Sequence, residues 1–109
     1  MTVDLSCALN IWYNETNMKA DLVYHEKKYL RDGAIKEIKI WRIPDNPPYY
    51  KYSLVYIVNE DRAICYDNAH GKGDHKHYRD TEHPYRFQGI EKLLRDFEND
   101  IRKYKEGKL

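Results

Sequence analysis

The chain has 109 residues, of which 34% are charged and 41% hydrophobic, with a formal net charge of +1. One hydrophobic core fits that length and two do not, so residues 1–109 read as a single domain of two thin layers. The balanced charge points to no nucleic-acid partner by itself, and the absence of a basic-then-apolar leader or of about 18 consecutive apolar residues favours a soluble cytoplasmic protein with no membrane partner.

Cys7 and Cys65 stand far apart and form no C-x-x-C pair, so they read as small buried hydrophobes in a reducing compartment, with a disulfide as the alternative. Eleven tyrosines suit a half-exposed sheet, where an apolar ring carries a polar tip.

Met1 to Asn17 show no decisive pattern: Leu5, Leu9 and Trp12 share a helical face, yet Ile11-Trp12-Tyr13 also suits a strand opening. From residue 20 an alternating run predicts a strand over 20–31, ended by Arg31-Asp32-Gly33, a turn that accepts glycine at positive φ. Ile35, Ile38, Ile40, Trp41 and Ile43 predict a second strand over 35–43, whose broken alternation calls for a β-bulge near Lys36 or Glu37. Pro44, Pro47 and Pro48 lack amide hydrogens and impose a loop. A third strand over 50–58 puts Tyr50, Tyr52, Leu54, Tyr56 and Val58 on one side and Lys51, Ser53, Val55 and Ile57 on the other. After Asn59-Glu60-Asp61 a fourth strand, 62–67, delivers Asp67 and Asn68 to its end. Past Pro84, Ile90, Leu93, Leu94, Phe97, Ile101 and Tyr104 form one helical stripe, predicting a helix over 89–104 that packs on the sheet. The fold class is therefore α+β, an antiparallel meander of about four strands against a C-terminal amphipathic helix.

Between Tyr66 and Tyr78 three of the five histidines fall within eight residues, among two aspartates, two lysines and two glycines. Apolar side chains are nearly absent there, so the segment reads as an accessible loop leaving a rigid sheet rather than as a core strand. Acid–base cleavage of a phosphodiester would use His70, His75 and His77, with one imidazole taking the ribose 2′-hydroxyl proton and another protonating the leaving oxygen. Lys72, Lys76 or Arg79 would hold the phosphate, and no cofactor is needed. A metal site is the second reading: His75 and His77, with Asp67, Asp74 or His70, suit a divalent ion such as Zn²⁺. The third is a polar turn for solubility or partner contact. Asp67 and Asn68 fit support of the loop through backbone amides as well as direct chemistry. His25 reads as a strand-surface residue and His83, before Pro84, as a loop residue.

The run Tyr66-Asp67-Asn68-Ala69-His70 with His75-Lys76-His77 resembles the signature of the TumE-like toxin family of bacterial and archaeal toxin–antitoxin modules. The hairpin at Arg31-Asp32-Gly33, the tyrosine-rich stretch Tyr50 to Val58 and the helix from Ile90 to Tyr104 extend the likeness over residues 20–104. The resemblance implies a small toxin with a helix-turn-helix antitoxin as partner, and carries Asp67, Asn68, His75, Lys76 and His77 as signature positions. The combined reading is a toxin acting on RNA as a ribonuclease, with His70, His75, His77 and Asp67 catalytic and Lys72, Lys76, Arg79 and Asn68 on the substrate. Its alternative is a noncatalytic interaction module, metal-stabilised through His75, His77 and Asp74. An exposed sheet edge would also permit strand pairing into a homo-oligomer.

Overall fold

The computed structural model describes residues 20–68 and 73–109. Within them one antiparallel sheet runs in chain order through β1 (Asp21–Tyr29), β2 (Ile35–Ile43), β3 (Tyr49–Val58), β4 (Asp61–Asp67), β5 (His75–Tyr78) and β6 (Thr81–Pro84). Helix α1, Ile90–Lys105, follows. The α+β class and the closing helix agree with the sequence, whereas a sheet of about four strands is an underestimate. The two additional strands lie where the histidine loop and the segment before Pro84 were expected. They form because His75-Lys76-His77-Tyr78 alternates between the faces of a sheet. Asp67 pairs with His75 and Cys65 with His77 on one side, Tyr66 with Lys76 and Ile64 with Tyr78 on the other. Partners across the ladder, rather than apolar content, hold this polar strand. His83 accordingly lies in β6, paired with Lys76, and not in a loop.

Even-numbered positions of the central strands face α1. Ile38, Ile40, Tyr52, Leu54, Ile64 and Tyr66 join Leu93, Phe97 and Ile101 in one buried cluster. Each fully buried large side chain contributes about 1.5–3 kcal/mol. Trp41, Ile43, Val55 and Cys65 are also buried, and alternation puts them on the opposite face. Thus β2 carries apolar residues on both faces, which explains its broken pattern without the expected bulge near Lys36 or Glu37. Its register with β3 is continuous, and the irregularities fall at Leu22/Tyr24 of β1 and Tyr56/Ile57 of β3. Gly33 takes the expected positive φ, +87°. Cys65 is fully buried as expected, but it is disulfide-bonded rather than a reduced thiol. Cys7 and the uncertain stretch Met1 to Asn17 lie outside the described residues. No helix among the described residues is long and apolar enough to cross a membrane.

The β3–β4 turn has Asn59 at φ 52° and Glu60 at φ 66°, both left-handed, with Val58 paired to Asp61. A two-residue turn of this hand matches strand twist and favours Asn-Gly. Asn59 suits it; a glutamate in the second position costs about 1 kcal/mol or more. Glu60→Gly is therefore expected to stabilise the fold by roughly 1 kcal/mol. Thermal melting should show a midpoint several degrees higher, and an unchanged or lower midpoint would contradict the turn assignment.

Most of the described tyrosines are partly or well exposed, as expected, and three depart from that placement. Tyr52, Tyr56 and Tyr66 are fully buried. A buried phenol needs a partner for its hydroxyl. Tyr52 donates to Asp74 Oδ1 at 2.7 Å, Tyr85 to Asp96 Oδ2 at 2.7 Å, and Tyr66 to Asp100. Burial first, then the carboxylate beside each hydroxyl, pushes all three phenols above their ordinary value. A raised folded value stabilises the protein fully below the unfolded value, near pH ~10, and that contribution is lost as pH rises further. Urea denaturation should show stability falling steeply above about pH 10. Absorbance at the phenolate band should rise only as the protein unfolds; early titration of these hydroxyls in the folded state would refute their burial.

Candidate active site

Alternation along β4 and β5 sends Asp67, His75 and His77 to the face away from α1. His75 Nε2 lies 2.8 Å from Asp67 Oδ1, with side-chain exposures of 9% and 5%. Its Nδ1 lies 3.2 Å from the carbonyl oxygen of Gly73. Both ring nitrogens thus face acceptors inside the protein, and a neutral imidazole donates from only one of them. This ring is held, not offered. The His77 ring meets it edge to face, with centroids 5.1 Å apart. At 16% exposure His77 is the more accessible of the two, and its Nε2 lies 4.0 Å from Glu82 Oε1 across the β5–β6 ladder.

Lys51 and Lys39 are cations of this face, Lys39 paired with Ser53 and held 3.7 Å from Glu37. Lys51 alternates with Ser53, and Ser53 pairs with Asp67, so Lys51 stands one step nearer the end of the sheet where residues 69–72 leave β4. Partial burial lowers its ammonium below the ordinary lysine value. His70 and Lys72 lie outside the described residues.

The other expected site residues go elsewhere. Asn68 Oδ1 accepts from the Tyr52 amide at 3.0 Å and its Nδ2 donates to the Tyr50 carbonyl at 2.8 Å, so it extends the ladder beyond β4. Asp74 takes the Tyr52 hydroxyl and, through Oδ2, the Phe87 amide at 3.0 Å. It therefore points toward α1, away from His75 and His77. Among the described residues no three His, Cys, Asp or Glu side chains converge as a metal set.

Lys76 also faces α1. Its Nζ is 3.5 Å from Asp100 Oδ2, 5.5 Å from the Tyr66 ring centre and 5.0 Å from that of Tyr78. Asp100 Oδ2 accepts from Tyr66 and, at 2.9 Å, from Tyr78. Burial alone would lower the Lys76 ammonium, but the Tyr78 hydroxyl and the Asp100 carboxylate outweigh it and hold the value up. Arg79, in the turn after β5, lies over the Tyr104 ring at 5.4 Å and donates to its hydroxyl.

Three residues of these two clusters were not singled out from the sequence. Lys51 was assigned to the correct face of its strand, and that alternation was the available signal. Glu82 required β6. Asp100 lies three residues after Phe97 and four before Tyr104, so a carboxylate stands within the apolar stripe, and that position marked it for burial with partners.

A six-stranded meander closed on one face by a helix, and carrying a carboxylate-held imidazole beside a second imidazole on the other, defines a small α+β protein among the described residues. The sequence model of the family described as Toxin TumE matches residues 10–105, most of the chain, and the chain belongs to that family. No curated protein and no solved structure gives a match.

Proposed function

We propose that this toxin acts on RNA by histidine-mediated cleavage of the phosphodiester, and that a helix-turn-helix antitoxin binds and neutralises it. The observation that carries the chemistry is the His75–His77 pair on one face of β5, with Asp67 2.8 Å from the inner ring. His77 is the base: it takes the proton of a ribose 2′-hydroxyl, the freed oxygen attacks the adjacent phosphorus, and the bond to the 5′-oxygen breaks. The products are a 2′,3′-cyclic phosphate and a 5′-hydroxyl, the latter formed when an acid returns a proton to the departing oxygen. His70, from the segment joining β4 to β5, is the imidazole left for that acid. His75 and Asp67 position His77, and Lys51 and Lys72 hold the phosphate.

One observation favours a second reading. Both nitrogens of His75 are engaged within the protein, as in a clamp that pins β5 to β4 for partner recognition without catalysis. Incubation of the purified protein with single-stranded RNA in EDTA separates the readings. Cleavage giving cyclic-phosphate ends supports proton transfer by the imidazoles. Cleavage lost on chelation and restored by Zn²⁺ moves His75 and His77 to ligation, and no cleavage under either condition leaves the interaction module.

A further inference from the structure

On the α1 side of the same hairpin a cleft of about 410 Å³ opens between the β5–β6 turn and the end of the helix. Tyr78, Arg79, Thr81, His83 and Tyr104 line it. The Tyr78 and His83 rings lie 4.8 Å apart, and Arg79 covers the Tyr104 ring. Among the described residues no carboxylate forms an ion pair with Arg79. The one buried carboxylate beneath, Asp100, is consumed by two phenols and Lys76.

The cleft thus offers a guanidinium with no acidic partner among the described residues, several ring faces and a threonine hydroxyl in one concavity. A guanidinium matches two phosphate oxygens at once, and aromatic faces stack on any base. β6 is the last strand of the sheet, so its outer edge separates this cleft from the His77 face by one strand. A flexible single strand can round such an edge.

We propose that this cleft is a second nucleotide subsite for single-stranded RNA, with a phosphate on Arg79 and its base against the Tyr104 and His83 rings. The proposal rests on the RNA reading for its ligand class, and does not depend on cleavage. Binding of a fluorescent 2′-O-methyl RNA oligomer, which lacks the 2′-hydroxyl proton, measures affinity without cleavage, and the cleft variants report the subsite's share of it. Arg79→Gln is expected to weaken binding roughly tenfold and to reduce the salt dependence by about one phosphate contact. Thr81→Glu, which leaves Arg79 in place and sets a carboxylate at the mouth, should weaken it by a similar factor, while Lys28→Gln, on β1 at the opposite end of the sheet, should bind as the parent does. Cleft-dependent binding by a protein that never cleaves RNA would refute the proposed chemistry and leave the subsite standing. Binding unchanged in both cleft variants, or no binding of the oligomer by the folded parent protein, would overturn the subsite.

Discussion

Asp100→Ala is expected to lower the folding free energy by about 3–5 kcal/mol, the cost of removing one partner from a buried charged cluster. Asp100 is 5% exposed and lies on the face of α1 that meets β4 and β5. It accepts the hydroxyls of Tyr66 and Tyr78 and lies 3.5 Å from the Lys76 ammonium. Its removal leaves the hydroxyl of the fully buried Tyr66 without that acceptor and Lys76 without its counter-charge. Asp100→Asn keeps the volume and one acceptor oxygen but not the charge, so its cost should be smaller, about 1–3 kcal/mol. Urea denaturation reads both; a loss under 1 kcal/mol for the alanine variant would show that the cluster does not anchor the helix. A further arm tests coupling: in a double-mutant cycle with Tyr66→Phe the two losses should fall short of adding, because one contact is counted twice.

His77→Ala is expected to reduce RNA cleavage by about 10²–10⁴-fold, the usual contribution of a positioned acid or base. The imidazole is partly exposed at the surface of β5, so the fold should survive, as circular dichroism and melting would show. Asp67→Asn should act differently. The substitution keeps an oxygen beside His75 but removes its negative charge, so the pair loosens and His77 is less well placed against its neighbour. The loss should be smaller, about tenfold to a hundredfold, and confined to turnover rather than substrate affinity. Parent-level cleavage by His77→Ala would sink the acid–base assignment on this face. The base would then lie elsewhere, with His75 only a structural clamp, and His75→Ala would be expected to destabilise the β4–β5 ladder without slowing cleavage by the folded protein.

Much of the molecule was legible because period and punctuation report backbone geometry directly. Gly33, the proline loop before Tyr49, and the apolar stripe from Ile90 to Ile101 located elements whose type follows from local residues. The grouping of Asp67, His75 and His77 was legible too, since Asp67 closes one strand and the histidines follow within ten residues, on the strand that pairs with it. β5 and β6 were not. His75-Lys76-His77-Tyr78 has no apolar run, and its strand character comes from the ladder with β4 rather than from its own composition.

By itself, the sequence determined the α+β class, the closing helix, the neighbourhood of His75 and His77 and the family, because each of these is written in spacing or in a local motif. Only the tertiary structure decided which of the charged residues work together. Alternation about β5 divides neighbours between two faces: His75 goes to Asp67 with His77 beside it, Lys76 to Asp100, and Asp74 to Tyr52 and Phe87. The physical reason is that a strand reverses the direction of its side chains at every residue, so adjacency along the chain is separation across the sheet. A carboxylate thirty-four positions from Tyr66 could be recognised as its partner only once the helix lay across that strand.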